Sequence, residues 1–343
     1  MSKVRTIVFH EYGVPSEVAR VEDREIAPPG PGEARVRLLA APINPADLNV
    51  LEGKYATLPD LPATPGVEGV GLVEELGAGA DKLAVGDRVV LPHGIGSWRE
   101  AAIVPAESLH VVPTDVPTEQ AAMLKINPVT ALHMLEDFVR LEPGDWVVQN
   151  AANSGVGHAV IQLARHRGLR TLNFVRRPEL IDTLLKAGAD AVLLDESDPE
   201  EQIHGILGKD RIHLGLNAVG GESALRVARS LAQGGTIVTY GAMGRQPLKI
   251  PNGMLIFDDL RWRGFWVSRW YREGSTKEER SKMFEGLFPL AARGILHTPV
   301  ERIYPLDEAA AALIHAAQGR RGGKILFGAP EVVAQFSAKS PVP

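Results

Sequence analysis

Residues 149–177 read QNAANSGVGHAVIQLARHRGLRTLNFVRR, and this stretch decides the fold. An apolar run, WVVQNA at 146–151, leads into a turn of small residues, AANSGVG at 151–157. A helical pattern follows, and a second apolar run, LRTLNFV, ends on Arg176 and Arg177. Strand, tight turn, helix and strand in that order make a βαβ unit, whose two strands lie parallel. The turn departs from G-x-G-x-x-G. Ala152 and Ser154 stand at the first two glycine places, Gly157 keeps the third, and Gly155 is an extra glycine. Small residues there still let the backbone approach an anion at the helix N-terminus, where free N–H groups and the helix dipole favour negative charge. The context predicts a dinucleotide site at Asn153, Ser154, Gly155, Val156 and Gly157. A tight turn that binds nothing is the plain alternative.

The basic end of the second strand selects the coenzyme. A site for NAD places Asp or Glu there to hold the ribose 2′-hydroxyl. This chain reads FVRRPE at 174–179. The planar fork of Arg176 or Arg177 suits a 2′-phosphate, and no carboxylate stands there to repel one. The expectation is NADPH over NADH, with solvated surface arginines as the other reading. Asn173, one strand step earlier, is a further candidate for the phosphate.

Outward from this unit the pattern changes on both sides. The first ~120 residues carry short apolar runs punctuated by Gly and Pro, such as TIVFH, GVGLVEEL and DRVVLP, and predict a β-rich barrel or open sheet. From about Thr118 helical and strand patterns alternate, which predicts a mostly parallel, doubly wound sheet. After about Val267 come an amphipathic helix, a strand, a second helix and the strand GGKILFG. The tail, APEVVAQFSAKSPVP, reads as small, polar and partly loose.

Composition narrows the function classes. The 343 residues carry 37 Lys+Arg against 42 Asp+Glu, a net charge of −5, so no general nucleic-acid or membrane footprint is expected. There is no cysteine, which excludes disulfides, thiolate catalysis and Cys-ligated metal sites. No apolar stretch approaches the ~20 residues of a membrane helix, and the start, MSKVRTIVFHEYG, lacks a signal-peptide core. The expected location is the cytoplasm. His93, His133, His158 and His213 lack metal or relay spacing and read as structural.

Six segments carry a resemblance that spans Ile43 to Trp270: INPADLNVLEGKY, PGVEGVGLVEELG, the long block from Ile126 to Ala164, NAVGG, GGTIVTYGAMGRQP and LIFDDLRWRGFWVSRW. The chain resembles the medium-chain dehydrogenase/reductase superfamily, and within it the zinc-free 2-enoyl thioester reductases of the mitochondrial trans-2-enoyl-CoA reductase type. The first two segments are shared more widely with quinone oxidoreductases. The resemblance implies an α/β architecture, with a GroES-like β-rich catalytic domain at 1–122 and 268–343 and a Rossmann NADPH-binding domain at 123–267. The superfamily's zinc enzymes have a cysteine ahead of the NPADLN stretch and a histidine in G-H-E. Here Asn44 lies in the first segment and Val67 replaces the histidine, so no metal is expected.

The implied reaction is NADPH-dependent reduction of the C2=C3 double bond of a 2-enoyl thioester, on CoA or a carrier protein, by hydride transfer to Cβ. The carbonyl gains charge in that step, and a neutral hydrogen-bond donor stabilises it. Tyr55 matches the family's cleft tyrosine, and a phenol stays protonated at neutral pH. An ordinary loop tyrosine is the alternative. Asn44 and Trp266 match substrate-pocket positions, with Phe265 beside them; a turn-capping Asn44 and a core-packed Trp266 are the alternatives. Tyr240, Gly241 and Met243 resemble the loop over the nicotinamide, a wall that Phe265 and Val267 would continue. Arg245, Arg261, Arg263, Arg269 and Arg272 are candidates to meet an acyl carrier's phosphates, or form a solvated face. Two competing functions are a zinc-free NADPH:quinone or α,β-unsaturated ketone reductase, and a non-catalytic nucleotide-binding protein. A homodimer is expected from the superfamily's habit of joining Rossmann sheets at their edges.

Overall fold

The computed structural model describes residues 1–196 and 199–339. The chain separates into two compact units, Met1–Ile126 with Ser275–Pro343, and Asn127–Gly274. It lays down β1 (Ser2–Val8), β2 (Arg20–Ile26), β3 (Glu33–Pro42), β4 (Val70–Leu76), β5 (Arg88–Val90), β6 (Ala101–Pro105) and β7 (His110–Val111) in the first unit. The second unit follows with β8 (Trp146–Gln149), β9 (Arg170–Val175), β10 (Ala191–Leu194), β11 (Ile212–Asn217), β12 (Thr236–Thr239) and β13 (Arg261–Gly264). The chain then returns to the first unit with β14 (Val300–Tyr304) and β15 (Lys324–Gly328).

In the first unit β1 and β2 form an antiparallel pair. The larger sheet runs β14-β15-β3-β4-β5-β7, with β6 on β3. Its core gathers Ile7, Phe9, Val36, Val73, Val89, Trp98, Ile325 and Phe327, all buried. Trp98 and Phe327 meet edge to face with ring centroids 5.0 Å apart. Burying each such side chain contributes about 1.5–3 kcal/mol.

The second unit is one parallel sheet in the order β10-β9-β8-β11-β12-β13. Its central strands are covered on both faces, so they read as continuous apolar runs: Val147 and Val148 on β8, Leu214 and Leu216 on β11, all buried. The order reverses between β8 and β11, and the carboxyl ends of these strands are where open α/β sheets bind ligands.

The run from Thr118 to Phe138 divides into short helices at Thr118–Ala121 and Asn127–Glu136. Pro128 has no N–H to donate, so it sits in the first turn of the second helix. The tail is not loose where it is described: Pro330–Lys339 is a helix. Val332 is buried, and Arg37 Nη1 donates to Glu331 Oε1 at 2.6 Å, which ties the helix to β3.

The helix Gly155–His166 buries Gly157, Ala159, Val160, Ile161, Leu163 and Ala164 along one stripe. A Cβ on Gly157 would lie 2.4 Å from the Ala152 carbonyl oxygen, closer than side-chain carbons approach. Gly157→Ala is expected to cost about 1–3 kcal/mol by overpacking. Chemical denaturation checks this; an unchanged midpoint would show that the helix does not rest on the turn.

Candidate functional site

The coenzyme-binding candidates belong to the second unit. Ser154 caps the 155–166 helix, its Oγ accepting from Gly157 N at 3.1 Å. Gly155 and Val156 follow the cap, and the N–H groups of a helix's first positions have no partner within the helix. Asn153 is exposed beside them. Arg176 follows the last residue of β9, exposed and without an ion pair or hydrogen bond among the described residues. Arg177 is half-buried and pairs with Glu179 at 3.4 Å. These groups fit a phosphorylated dinucleotide: first-turn amides for a pyrophosphate and a free guanidinium for a further phosphate.

The 240–244 loop is laced onto the turn after β11. Tyr240 N donates to Asn217 O at 3.0 Å, Met243 N to Ala218 O at 2.8 Å and Gly244 N to Val219 O at 2.9 Å. Gly241 packs closely there; a Cβ would meet Ala218 O at 3.0 Å. The Tyr240 hydroxyl is buried beside Ser154 without a regular hydrogen bond, and burial raises its pKa. It stays protonated. Met243 is exposed.

Beneath this surface runs a polar chain that the sequence reading missed. Asn150 Nδ2 donates to Asn217 Oδ1 and to Ser223 Oγ, both at 2.9 Å, and Asn150 Oδ1 accepts from Ala218 N at 2.8 Å. Ser223 Oγ donates to Asp195 Oδ2 at 2.6 Å, and Arg226 Nε to Asp195 Oδ1 at 2.6 Å. Buried polar groups of this kind fix one geometry when all are satisfied. The available signal was an Asn closing each of two apolar runs, VVQN and LGLN.

One expectation in this unit is corrected. Asn173 is fully buried: its Oδ1 accepts from Gln149 Nε2 at 2.7 Å, and its Nδ2 donates to Thr171 and to Ala191 O. It braces β8, β9 and β10 and is not free for a phosphate. Val267 is buried, at 8% exposure. Within the basic cluster, Arg261 pairs with Asp259 and Arg269 with Glu273 at exposed positions, Arg263 lies over Phe138, and Arg272 lies 4.6 Å over Trp266. Phe265 is half-buried and packs against His133 at 5.7 Å and Phe138 at 6.1 Å.

In the first unit Asn44 is 2% exposed and N-caps the helix Pro45–Leu51. Its Nδ2 donates to Glu68 Oε1 at 2.8 Å, and its Oδ1 accepts from Lys324 Nζ. Its backbone N–H donates to Asp47 Oδ2 at 2.8 Å. The substrate-pocket expectation for Asn44 is therefore replaced by a structural one, because both ends of its amide are engaged inside the protein. Glu68 is fully buried and also accepts from Ile126 N at 2.9 Å. Burial pushes the Asp47 carboxyl up to about 7, and burial pulls the Lys125 ammonium down to about 7 and Lys324 to about 8.

This cluster does not fit a zinc ion. Lys324 puts an ammonium on Asn44 where a cation would need donors, and the described residues hold no group of three or more His, Cys, Asp or Glu able to bind a metal. Tyr55 lies just past the helix, after Gly53, half-buried in a stretch whose neighbours Lys54, Ala56, Thr57 and Leu58 are exposed.

Comparison with known proteins agrees with this layout. The family model for the alcohol dehydrogenase GroES-like domain matches residues 30–114, and the one for zinc-binding dehydrogenases matches 155–285. The mitochondrial enoyl-[acyl-carrier-protein] reductase of Homo sapiens is 43% identical over 319 residues, covering 91% of this chain and 85% of that one. Among solved structures, the mitochondrial 2-enoyl thioester reductase Etr1p/Etr2p heterodimer from Candida tropicalis is 26% identical with a TM-score of 0.87, covering 96% of this chain and 100% of that chain. Etr1p in complex with NADP and crotonyl-CoA aligns with the same identity, TM-score and coverage. A mycobacterial quinone oxidoreductase is 28% identical with a TM-score of 0.83, covering 95% and 100%. The cytoplasmic expectation is overturned, since the enoyl reductase relatives are named as mitochondrial proteins. The chain belongs to the zinc-free enoyl thioester reductase family of the medium-chain dehydrogenases/reductases.

Proposed function

We propose that this protein reduces the C2=C3 double bond of 2-enoyl thioesters with NADPH, hydride adding to Cβ and a proton to Cα. The observation that carries the reading is the match to enoyl reductases over nearly the whole chain, with a coenzyme turn and a free arginine after the next strand. NADPH, when bound, supplies the hydride. The remaining work belongs to the chain's own side chains.

The first-turn amides of Gly155 and Val156 hold the pyrophosphate, and Arg176 holds the 2′-phosphate. Tyr240, Gly241 and Met243 form the loop beside the nicotinamide, with Phe265 behind it. Tyr55 donates a hydrogen bond from its hydroxyl to the thioester oxygen as that atom gains charge. Trp266, half-buried under Arg272, borders the acyl group. The bound thioester is read as an acyl-CoA or acyl-carrier protein. A quinone acceptor is the second reading, favoured by the shared fold of the mycobacterial quinone oxidoreductase.

The protein is further read as a homodimer. β13 ends the parallel sheet with one edge unpaired among the described residues, and Ile256 and Phe257 beside it are 69% and 74% exposed. An open strand edge flanked by apolar side chains suits a second copy. No helix among the described residues is long and apolar enough to cross a membrane.

The test is NADPH oxidation with crotonyl-CoA against 1,4-quinones. Turnover with crotonyl-CoA is expected, and quinone turnover without it would replace the thioester reading. Binding of NADPH without oxidation by either acceptor would leave only the nucleotide-binding role. Tyr55→Phe should lower kcat by about a hundredfold while NADPH affinity persists, the order lost with one donor to a developing oxyanion. Arg176→Ala should narrow the preference for NADPH over NADH by about tenfold; an unchanged preference would remove Arg176 from the phosphate site.

A further inference from the structure

We infer that Tyr12 is a positioning residue for Tyr55; the inference rests on the reading of Tyr55 as the hydrogen-bond donor. The stretch from Glu52 to Pro62 carries Tyr55, and most of it is exposed. Leu61 near its end packs against the core, and the exposed residues between take little support from packing. The stretch is held instead at three points by the segment Phe9–Gly13, which follows β1.

At its start, Gly13 N donates to Leu51 O at 2.9 Å. At its end, Phe9 N donates to Ala63 O at 2.9 Å and Ala63 N to Phe9 O at 3.0 Å. Between these two, the Tyr12 hydroxyl donates to Pro59 O at 2.7 Å. The Tyr12 side chain also covers Gly53. That residue has φ of +69°, and a Cβ on it would lie 3.0 Å from Tyr12 Cβ and 3.1 Å from Cγ. Gly53 is thus required for both its left-handed turn and the close approach of the tyrosine.

Tyr12 touches the chain two residues before Tyr55 and four residues after it. Its ring is itself set against the fully buried Phe9, edge to face at 5.9 Å. A core aromatic therefore orients Tyr12, and Tyr12 spans the segment that presents Tyr55. A donor misplaced by about 1 Å can lose as much as a hundredfold in rate. Tyr12 is 37% exposed, so water competes for its hydroxyl and the expected loss is smaller.

The test uses the full chain with NADPH and crotonyl-CoA. Tyr12→Phe keeps the ring and removes the bond to Pro59; Tyr12→Ala removes both contacts. Tyr12→Phe should lower kcat about fivefold and leave the KM for NADPH and the melting temperature near wild type, and Tyr12→Ala should lower kcat further. In a Tyr55→Phe background the further loss should vanish, because Tyr12 acts through the Tyr55 hydroxyl. The proposal is overturned if Tyr12→Phe keeps the wild-type kcat while Tyr55→Phe is slow, or if the two losses multiply. If Tyr55→Phe itself turns over normally, the reading of Tyr55 fails and the role of Tyr12 fails with it.

Discussion

The contact of Gly157 with the Ala152 carbonyl sets the second unit. It lets the 155–166 helix start almost on top of the end of β8, with its first-turn amides facing outward. The Gln149 side chain reinforces this seat, donating to Gly157 O at 3.0 Å and to Asn173 at 2.7 Å. One amide thereby ties β8, β9 and the helix together. The helix N-terminus and the end of β9 keep a fixed separation as a result, and the ends of that span are the Ser154 turn and Arg176. A dinucleotide that carries a central pyrophosphate and a 2′-phosphate on its adenosine ribose suits such a fixed pair of anchors.

The first unit solves a different problem. The superfamily's zinc enzymes put a metal near this helix, whereas here a carboxylate, an amide and an ammonium fill the place. Glu68 lies in the interior with Asn44 Nδ2 and Ile126 N on its two oxygens, so both oxygens are met by directed donors. Lys324 completes the arrangement through Asn44. The cluster secures the start of the 45–51 helix, and the other end of that helix leads to Tyr55. In the proposed reaction, charge stabilisation of the substrate falls to the neutral phenol of Tyr55.

Much of this was legible in the residues. The strand–turn–helix–strand order at 146–177 and the basic end of β9 both stand in a single window of sequence. Asn44 was not legible as a network member, because its partner Lys324 is 280 residues away and no local pattern joins them. The same holds for Asp195, which reaches Ser223 and Arg226 only once β10 lies in the parallel sheet. Asn173 misled for the opposite reason. Its place near the end of β9 suggested a ligand, but its side chain turns into the sheet, as alternate residues of a strand do. The C-terminal helix was hidden by a composition of small residues, and Val332 and Glu331 form it by docking on the first unit.

A crystal structure with NADPH and crotonyl-CoA bound tests the account most directly. The pyrophosphate should lie within hydrogen-bond distance of the Gly155 and Val156 amides, the 2′-phosphate against Arg176, and the Tyr55 hydroxyl on the thioester oxygen. A 2′-phosphate in solvent with Arg176 turned away, or a Tyr55 hydroxyl remote from that oxygen, would contradict it.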